Sequence, residues 1–188
     1  MKIKTTMIPG VVVVTPQRYA DSRGYFVESF NEREFRKAGI AVTFVQDNHS
    51  FSVLQGTVRG LHFQLPPAPQ SKLVRAVRGS IFDVVVDLRM GSPTYGRWIA
   101  ETLTAEGGEQ IFVPRGLAHA FCTLEPGTEV LYKVDAFYDP ECDNGIIWND
   151  PTLAIGWPIA PDKVVLSDRD RKLRPLEHFV SPFRYELR

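Results

Sequence analysis

The sequence is poor in cysteine and carries no excess charge of either sign. Two cysteines in 188 residues, Cys122 and Cys142, exclude a disulfide framework and a cysteine-based zinc site. Both are expected to stay reduced, as in a cytoplasmic protein, and Cys122 to serve packing. Basic and acidic side chains number 22 each, so no bulk charge points to nucleic acid or to a membrane surface. Long apolar runs are missing as well. Met7 to Val14 is the best candidate, but Pro9 and Gly10 interrupt it, and a membrane span requires ~20 apolar residues. No small-residue cleavage site follows, so no signal peptide is expected. Internal repeats and divisive linkers are absent too. The expectation is one domain over residues 1–188, burying on the order of two-thirds of its unfolded surface.

What is present is a succession of short strand-like segments punctuated by glycine and proline. Val11–Val14 and Tyr25–Phe30 come first, the second placing Phe26 and Glu28 on one face. Val42–Gln46, Thr57–Gln64, Leu73–Arg78, Ile81–Leu88, Trp98–Leu103, Gln110–Val113, His119–Leu124 and Val130–Phe137 follow. Such regular short strands predict an all-β sandwich or barrel. The one clear helix runs from an Asn31 N-cap to a Gly39 stop, with Glu32 and Glu34 early and Arg36 and Lys37 late. After Asp150 the pattern loosens into loops, with a short helix near Ser167–Lys172.

Chemistry concentrates in Arg59-Gly60-Leu61-His62-Phe63-Gln64. On a strand, Leu61 and Phe63 face one way, while His62 shares the other face with Gly60 and Gln64. One side would then belong to a core and the other to a pocket. A second segment, Gly108 to His119, sets Pro114, Gly116 and His119 at the spacing of the second cupin motif. It resembles the cupin superfamily, whose fold is a double-stranded β-helix, or jelly roll. On the first cupin motif, His62 takes the first histidine position, Gln64 the second, and Lys72 the glutamate position seven residues before Gly79. An ammonium in place of a carboxylate repels a divalent cation, so no metal is expected. A fixed cation beside a neutral histidine suits proton abstraction next to a carbonyl, because the cation stabilises the enolate oxygen.

Longer phrases narrow the resemblance. Phe44 to Ser50, Arg59 to Gln64, Lys72 to Arg75, Phe82 to Asp87 and Ser92 to Gly96 resemble the dTDP-4-dehydrorhamnose 3,5-epimerase family. So do Leu131 to Lys133, Ile147 to Asp150 and Leu166 to Asp170. The likeness runs from about Ile8 to about Leu176. It implies a cofactor-free and metal-free isomerase of a dTDP-4-keto-6-deoxyhexose, in dTDP-L-rhamnose biosynthesis. By similarity His62 is the base, Asp170 orients it, Lys72 stabilises the enolate and Tyr132 returns a proton on the opposite face. Asp168 competes with Asp170 for His62, although family register favours Asp170. The resemblance also assigns substrate contacts to Arg23, Glu28, Gln46, Asp47, Asn48, Arg59 and His119. Arg23 and Arg59 are the candidates for the diphosphate, since guanidinium offers bidentate contacts. Phe26 and Tyr138 are candidates to stack on thymine. Arg169 and Asp143 stand where the family commonly has lysine and glutamate, which preserves charge at substrate contacts.

A homodimer exchanging N-terminal strands is also implied, with Val11–Val14 and Tyr25–Phe30 as free strand material. Other readings stay open. One is a 3- or 5-epimerase acting on another nucleotide 4-keto sugar. Another is a cupin that binds a sugar nucleotide without turnover. A metal-dependent oxygenase is opposed by Lys72 and Gln64.

Overall fold

The computed structural model describes residues 1–186. In chain order come β1 (Lys2–Thr5), β2 (Val12–Thr15), β3 (Arg18–Asp21), β4 (Gly24–Val27) and helix α1 (Glu32–Lys37). Then follow β5 (Gln46–Ser52), β6 (Val58–Gln64), β7 (Lys72–Arg78), β8 (Ser80–Asp87) and β9 (Trp98–Thr104). The last strands are β10 (Gln110–Val113), β11 (Leu117–Thr123), β12 (Thr128–Val134) and β13 (Asp143–Gly145). Beyond Asp150 the described chain is loop with short 3₁₀ turns.

Two antiparallel sheets form the body, ordered β1-β2-β10-β7-β12-β5 and β13-β6-β11-β8-β9, and β3 and β4 make a separate hairpin. This is the all-β jelly roll expected from the sequence. Alternation explains the interior. On β8, Ile81 and Val85 join Val74, Leu103, Ile111 and Phe121 between the sheets. Val84 and Val86 face outward onto Leu153, Ile155, Leu176 and Phe183 of the C-terminal segment. A strand buried on both faces reads as a nearly unbroken apolar run, and Phe82 to Asp87 does.

Two buried carboxylates staple the loops. Asp87 accepts from Arg89, Ser92 and Thr94. Asp150 accepts the backbone N–H groups of Thr152, Leu153 and Leu176. Helix α1 forms as its caps predict: the Asn31 side chain accepts from Arg33 N at 3.1 Å, and Gly39 leaves it at φ +84°. Its buried Phe35 covers Val14, Leu73 and Phe112 on the outer face of the six-stranded sheet.

Several expected boundaries are corrected. Val42 to Val45 lies outside any strand, with only the Val45 N–H reaching the Val134 carbonyl, and the strand starts at Gln46 and runs to Ser52. The strand expected at Tyr25–Phe30 stops at Val27 and folds back on Arg18–Asp21. The run Val11–Val14 is not free for exchange, because β2 is paired on one side with β1 and on the other with β10. The 3₁₀ turn at Asp170–Lys172 falls within the expected Ser167–Lys172 helix.

Candidate active site

One irregularity in β6 builds the site. Against β11, His62 lies opposite His119 but Arg59 lies opposite Phe121, so three steps on one strand match two on the other. The extra residue is a bulge, centred where Gly60 adopts φ +130°. A side chain on Gly60 would collide with Ala120. A straight strand would send Arg59 to the Leu61 face. The bulge instead turns Arg59 and His62 into one cavity, while Leu61 and Phe63 stay in the outer core.

That cavity, of about 440 Å³, is lined by Arg59, His62, Lys72, His119, Tyr132 and Asp170 among others. It lies between the sheets: His62 and His119 come from the five-stranded sheet, Lys72 and Tyr132 from the six-stranded one. His62 Nε2 meets Asp170 Oδ1 at 2.6 Å. A carboxylate accepts, so Nε2 carries the proton and Nδ1 keeps its lone pair. Burial is the largest influence on His62 and pulls its pKa below the usual 6.5, against the pull of Asp170 and with help from Lys72 and Arg169. The imidazole is therefore a neutral base near pH 7. Burial works against the Asp170 carboxylate, but bonds from His62, Ser167 and the Gly60 N–H outweigh it and hold it below the usual range. Asp168 is exposed, which settles the choice between the two carboxylates as His62's partner.

Lys72 is 8 % exposed, and its Nζ donates to the His62 carbonyl at 3.2 Å. Burial lowers its pKa from 10.5 to about 8, with Asp143 and Asp83 opposing, so it remains a cation at pH 7. Burial raises the Tyr132 phenol, Arg59 opposing and Asp143 adding. It stays protonated and can donate. Gln64, at a cupin ligand position, is committed to backbone: its amide donates to Ala68 O and Phe137 O and accepts from Asp139 N. With Lys72 at another such position, the residues present do not fit a metal.

The remaining expected residues divide. At the rim, Arg169 pairs with Asp143 at 2.7 Å, and the Tyr138 hydroxyl donates to Asp143 at 3.1 Å. Gln46 donates to Asn48 at 2.8 Å and accepts from Tyr138 N. Asp47, of opposite parity on β5, pairs instead with Lys133 at 2.9 Å beside a second, smaller hollow. Arg23 pairs with Asp21 with its side chain 87 % exposed. Phe26 is 69 % exposed, and Glu28 accepts from Asn31. Of all these, only Arg169 lines the His62 cavity of its own chain; Asn48 borders the second hollow together with Asp47. One residue escaped sequence reasoning: Asp83, fully buried, bonds His119 at 2.7 Å. Its signal was a carboxylate at the inward parity of Ile81 and Val85.

The chain is similar to known proteins over nearly its whole length. The family model described as dTDP-4-dehydrorhamnose 3,5-epimerase matches residues 5–178. A dTDP-4-dehydrorhamnose 3,5-epimerase of Pseudomonas aeruginosa is 49 % identical over 173 residues, covering 92 % of this chain and 94 % of that one. The Bacillus anthracis enzyme, crystallised with TDP and pyrophosphate, superposes with TM-score 0.91 at 45 % identity, over 93 % of this chain and 99 % of that one. A Legionella pneumophila 3,5-epimerase in complex with dTDP-4-keto-L-rhamnose gives TM-score 0.93 at 39 % identity, over 99 % of each chain. With its jelly roll, its bulged His62 strand and these likenesses, the chain belongs to the dTDP-4-dehydrorhamnose 3,5-epimerase family of isomerases.

Proposed function

We propose that the chain, as a single catalytic domain, inverts C3 and C5 of dTDP-4-dehydro-6-deoxy-D-glucose to give dTDP-4-dehydro-L-rhamnose. The observation that carries this is the facing arrangement of a neutral His62 base and a protonated Tyr132 acid on opposite sheets, with the Lys72 cation in the same cavity. The C3 and C5 hydrogens flank the C4 ketone. His62 Nδ1 removes one, the enolate charge gathers on O4 near Lys72, and Tyr132 delivers a proton from the other side. Return from the opposite face is inversion. Because the two carbons flank one ketone, the same three groups serve both in turn.

Arg59 is the diphosphate ligand in this reading; Nε and one terminal nitrogen contact Ser52 and Phe51 O, and the other terminal nitrogen is left for a phosphate oxygen. Tyr138 stacks on thymine, with Gln46, Asn48, Asp143, Arg169 and His119 completing the nucleotide-sugar contacts. The exposed hairpin β3–β4 supports a homodimer: Tyr19, Tyr25 and Phe26 are each more than half exposed. Arg23, Phe26 and Glu28, remote from their own cavity, then serve the partner's. The cytoplasm is the proposed compartment, in keeping with two buried free thiols. Among the described residues no helix is long and apolar enough to cross a membrane.

Incubation with dTDP-4-keto-6-deoxyglucose in deuterated water is the test. Solvent deuterium is expected at both C3 and C5, with L-lyxo product trapped by a coupled reductase. Deuterium at one carbon would identify a monofunctional epimerase, and none would leave a sugar-nucleotide binder.

A further inference from the structure

Asp83 takes no part in the mechanism above, yet it is a fully buried carboxylate beside the cavity's His119. It sits on β8 between Ile81 and Val85, in the interior between the sheets, with no exposed surface. Oδ2 accepts from His119 Nε2 at 2.7 Å. Oδ1 is buried with no hydrogen-bond partner among the described residues. Burial pushes the Asp83 carboxyl above the usual carboxylate range, and His119 and Lys72 pull it back down, so an open oxygen here calls for a compensating charge nearby. The nearby charge is Lys72, whose ammonium uses one of three donors, on the His62 carbonyl, and which feels the field of Asp83. A structural aspartate is served differently. Asp87, four residues along the same strand, has both oxygens bonded.

Resting on the epimerase reading, we propose that Asp83 is a positioning residue that acts on two groups at once. It fixes the His119 ring through Oδ2, and its free oxygen supplies the negative charge that keeps Lys72 cationic and drawn into the cavity. The charge count supports this. Around Lys72 and Asp83 stand His62 from β6, His119 from β11, Glu101 from β9, Tyr132 from β12, Asp143 from β13 and Arg169 from the C-terminal segment. Glu101 is engaged by Lys4 at 2.8 Å and Asp143 by Arg169 at 2.7 Å. Of the two carboxylates whose fields reach Lys72, Asp143 is claimed by Arg169 and Asp83 by no full cation, while Asp170 in the same cavity is taken up by His62. His119, for its part, becomes a fixed wall whose Nδ1 edge is offered to the substrate. Enolate stabilisation needs a charged Lys72 above all, so a residue that never touches the substrate would set the alkaline limit of the reaction.

Asp83→Asn keeps the shape and removes the charge. The Lys72 ammonium is followed by ¹⁵N NMR across pH in the full chain without substrate. The midpoint, near 8 in the unaltered protein, is expected to fall by on the order of one unit in the variant. The alkaline limb of deuterium incorporation should shift by the same amount, while the acid limb set by His62 stays in place. An unmoved Lys72 midpoint in a folded variant would overturn the proposal and leave Asp83 a packing residue. Should the variant fail to fold, ¹³C NMR of the Asp83 carboxyl in the unaltered protein decides instead. An ionised carboxylate at pH 7 is expected, and a neutral carboxyl there would overturn the proposal. Both NMR readings need no turnover, so failure of the epimerase reading would show separately, as absent deuterium incorporation by the unaltered enzyme.

Discussion

The cavity holds two histidine–carboxylate pairs that look alike in distance and differ in everything else. His62–Asp170 joins a bulged strand to a 3₁₀ turn of the C-terminal segment, 108 residues away, and the His62 side chain is 25 % exposed. His119–Asp83 joins neighbouring strands of one sheet and is 7 % and 0 % exposed. In the first pair the carboxylate meets the ring, the Asp170 backbone N–H donates to Ser167 Oγ, and Ser167 and Gly60 help hold the carboxyl below the usual range. In the second, one carboxylate oxygen is left open. An oriented ring with an accessible lone pair is equipped to take a proton. A ring locked into a sheet beside an open carboxylate oxygen is equipped to shape the field. Hydrogen-bond length alone would not have told them apart.

The harshest way to break this contrast is to remove each ring. His62→Ala should lower deuterium incorporation at both carbons by about 10³-fold, since it deletes the general base. His119→Gln should cost only about tenfold, mainly in KM, because it perturbs a wall. Equal losses in the two variants would erase the distinction. Asp170→Asn falls between them: losing the group that fixes the tautomer should cost on the order of 10²-fold in kcat.

These contrasts mark where the sequence was readable. Strand material was legible because β-branched runs such as Val11–Val14 can do little else in water, and α1 because Asn31 and Gly39 bracket it. His62, Lys72 and His119 were legible through the spacing of the cupin motifs. The bulge at Gly60 was not, since an inserted residue leaves no trace in a local pattern, and it alone puts Arg59 beside His62. Asp83 was hidden by the surrounding apolar run, where one carboxylate barely disturbs the periodicity. Asp47 shows the opposite error. It belongs to a phrase rich in polar groups, but strand parity turns it away from its neighbours Gln46 and Asn48. The pairing of β2 with β10 was equally out of reach, because those ladder partners lie about a hundred positions away.

The buried charges also differ in their effect on stability. Lys72 has a folded pKa of about 8 against 10.5 when unfolded, so the unfolded chain binds more protons between those values. Stability from this group therefore rises as pH climbs from 8 to 10.5, and below 8 the full cost of holding the cation is present. Replacing both buried charges, Lys72→Met with Asp83→Asn, should yield an inactive protein more stable at pH 7 by about 2 kcal/mol, because two charged groups need no longer be held out of water. Urea denaturation at pH 7 and pH 9.5 measures this, and the gain should shrink at the higher pH. A loss of stability at pH 7 would mean the pair holds the fold together as well as the site.

The smallest effect is the most discriminating. In the unaltered enzyme, kcat/KM should fall at acid pH by about tenfold per unit, on a limb displaced below the ordinary imidazole range, as His62 takes up a proton and ceases to be a base. Burial, Lys72 and Arg169 all push that limb downward, and Asp170 is the group that pulls it up. Removing the Asp170 charge should therefore move the limb to lower pH even as Asp170→Asn lowers the plateau. General damage to the cavity predicts the reverse, because water entering a loosened site relieves burial and lets His62 return toward 6.5. A pH–rate profile of Asp170→Asn separates the two by the sign of the shift, whatever the size of the drop in rate. A limb that moved upward would show that the first pair holds the local structure more than it tunes the base.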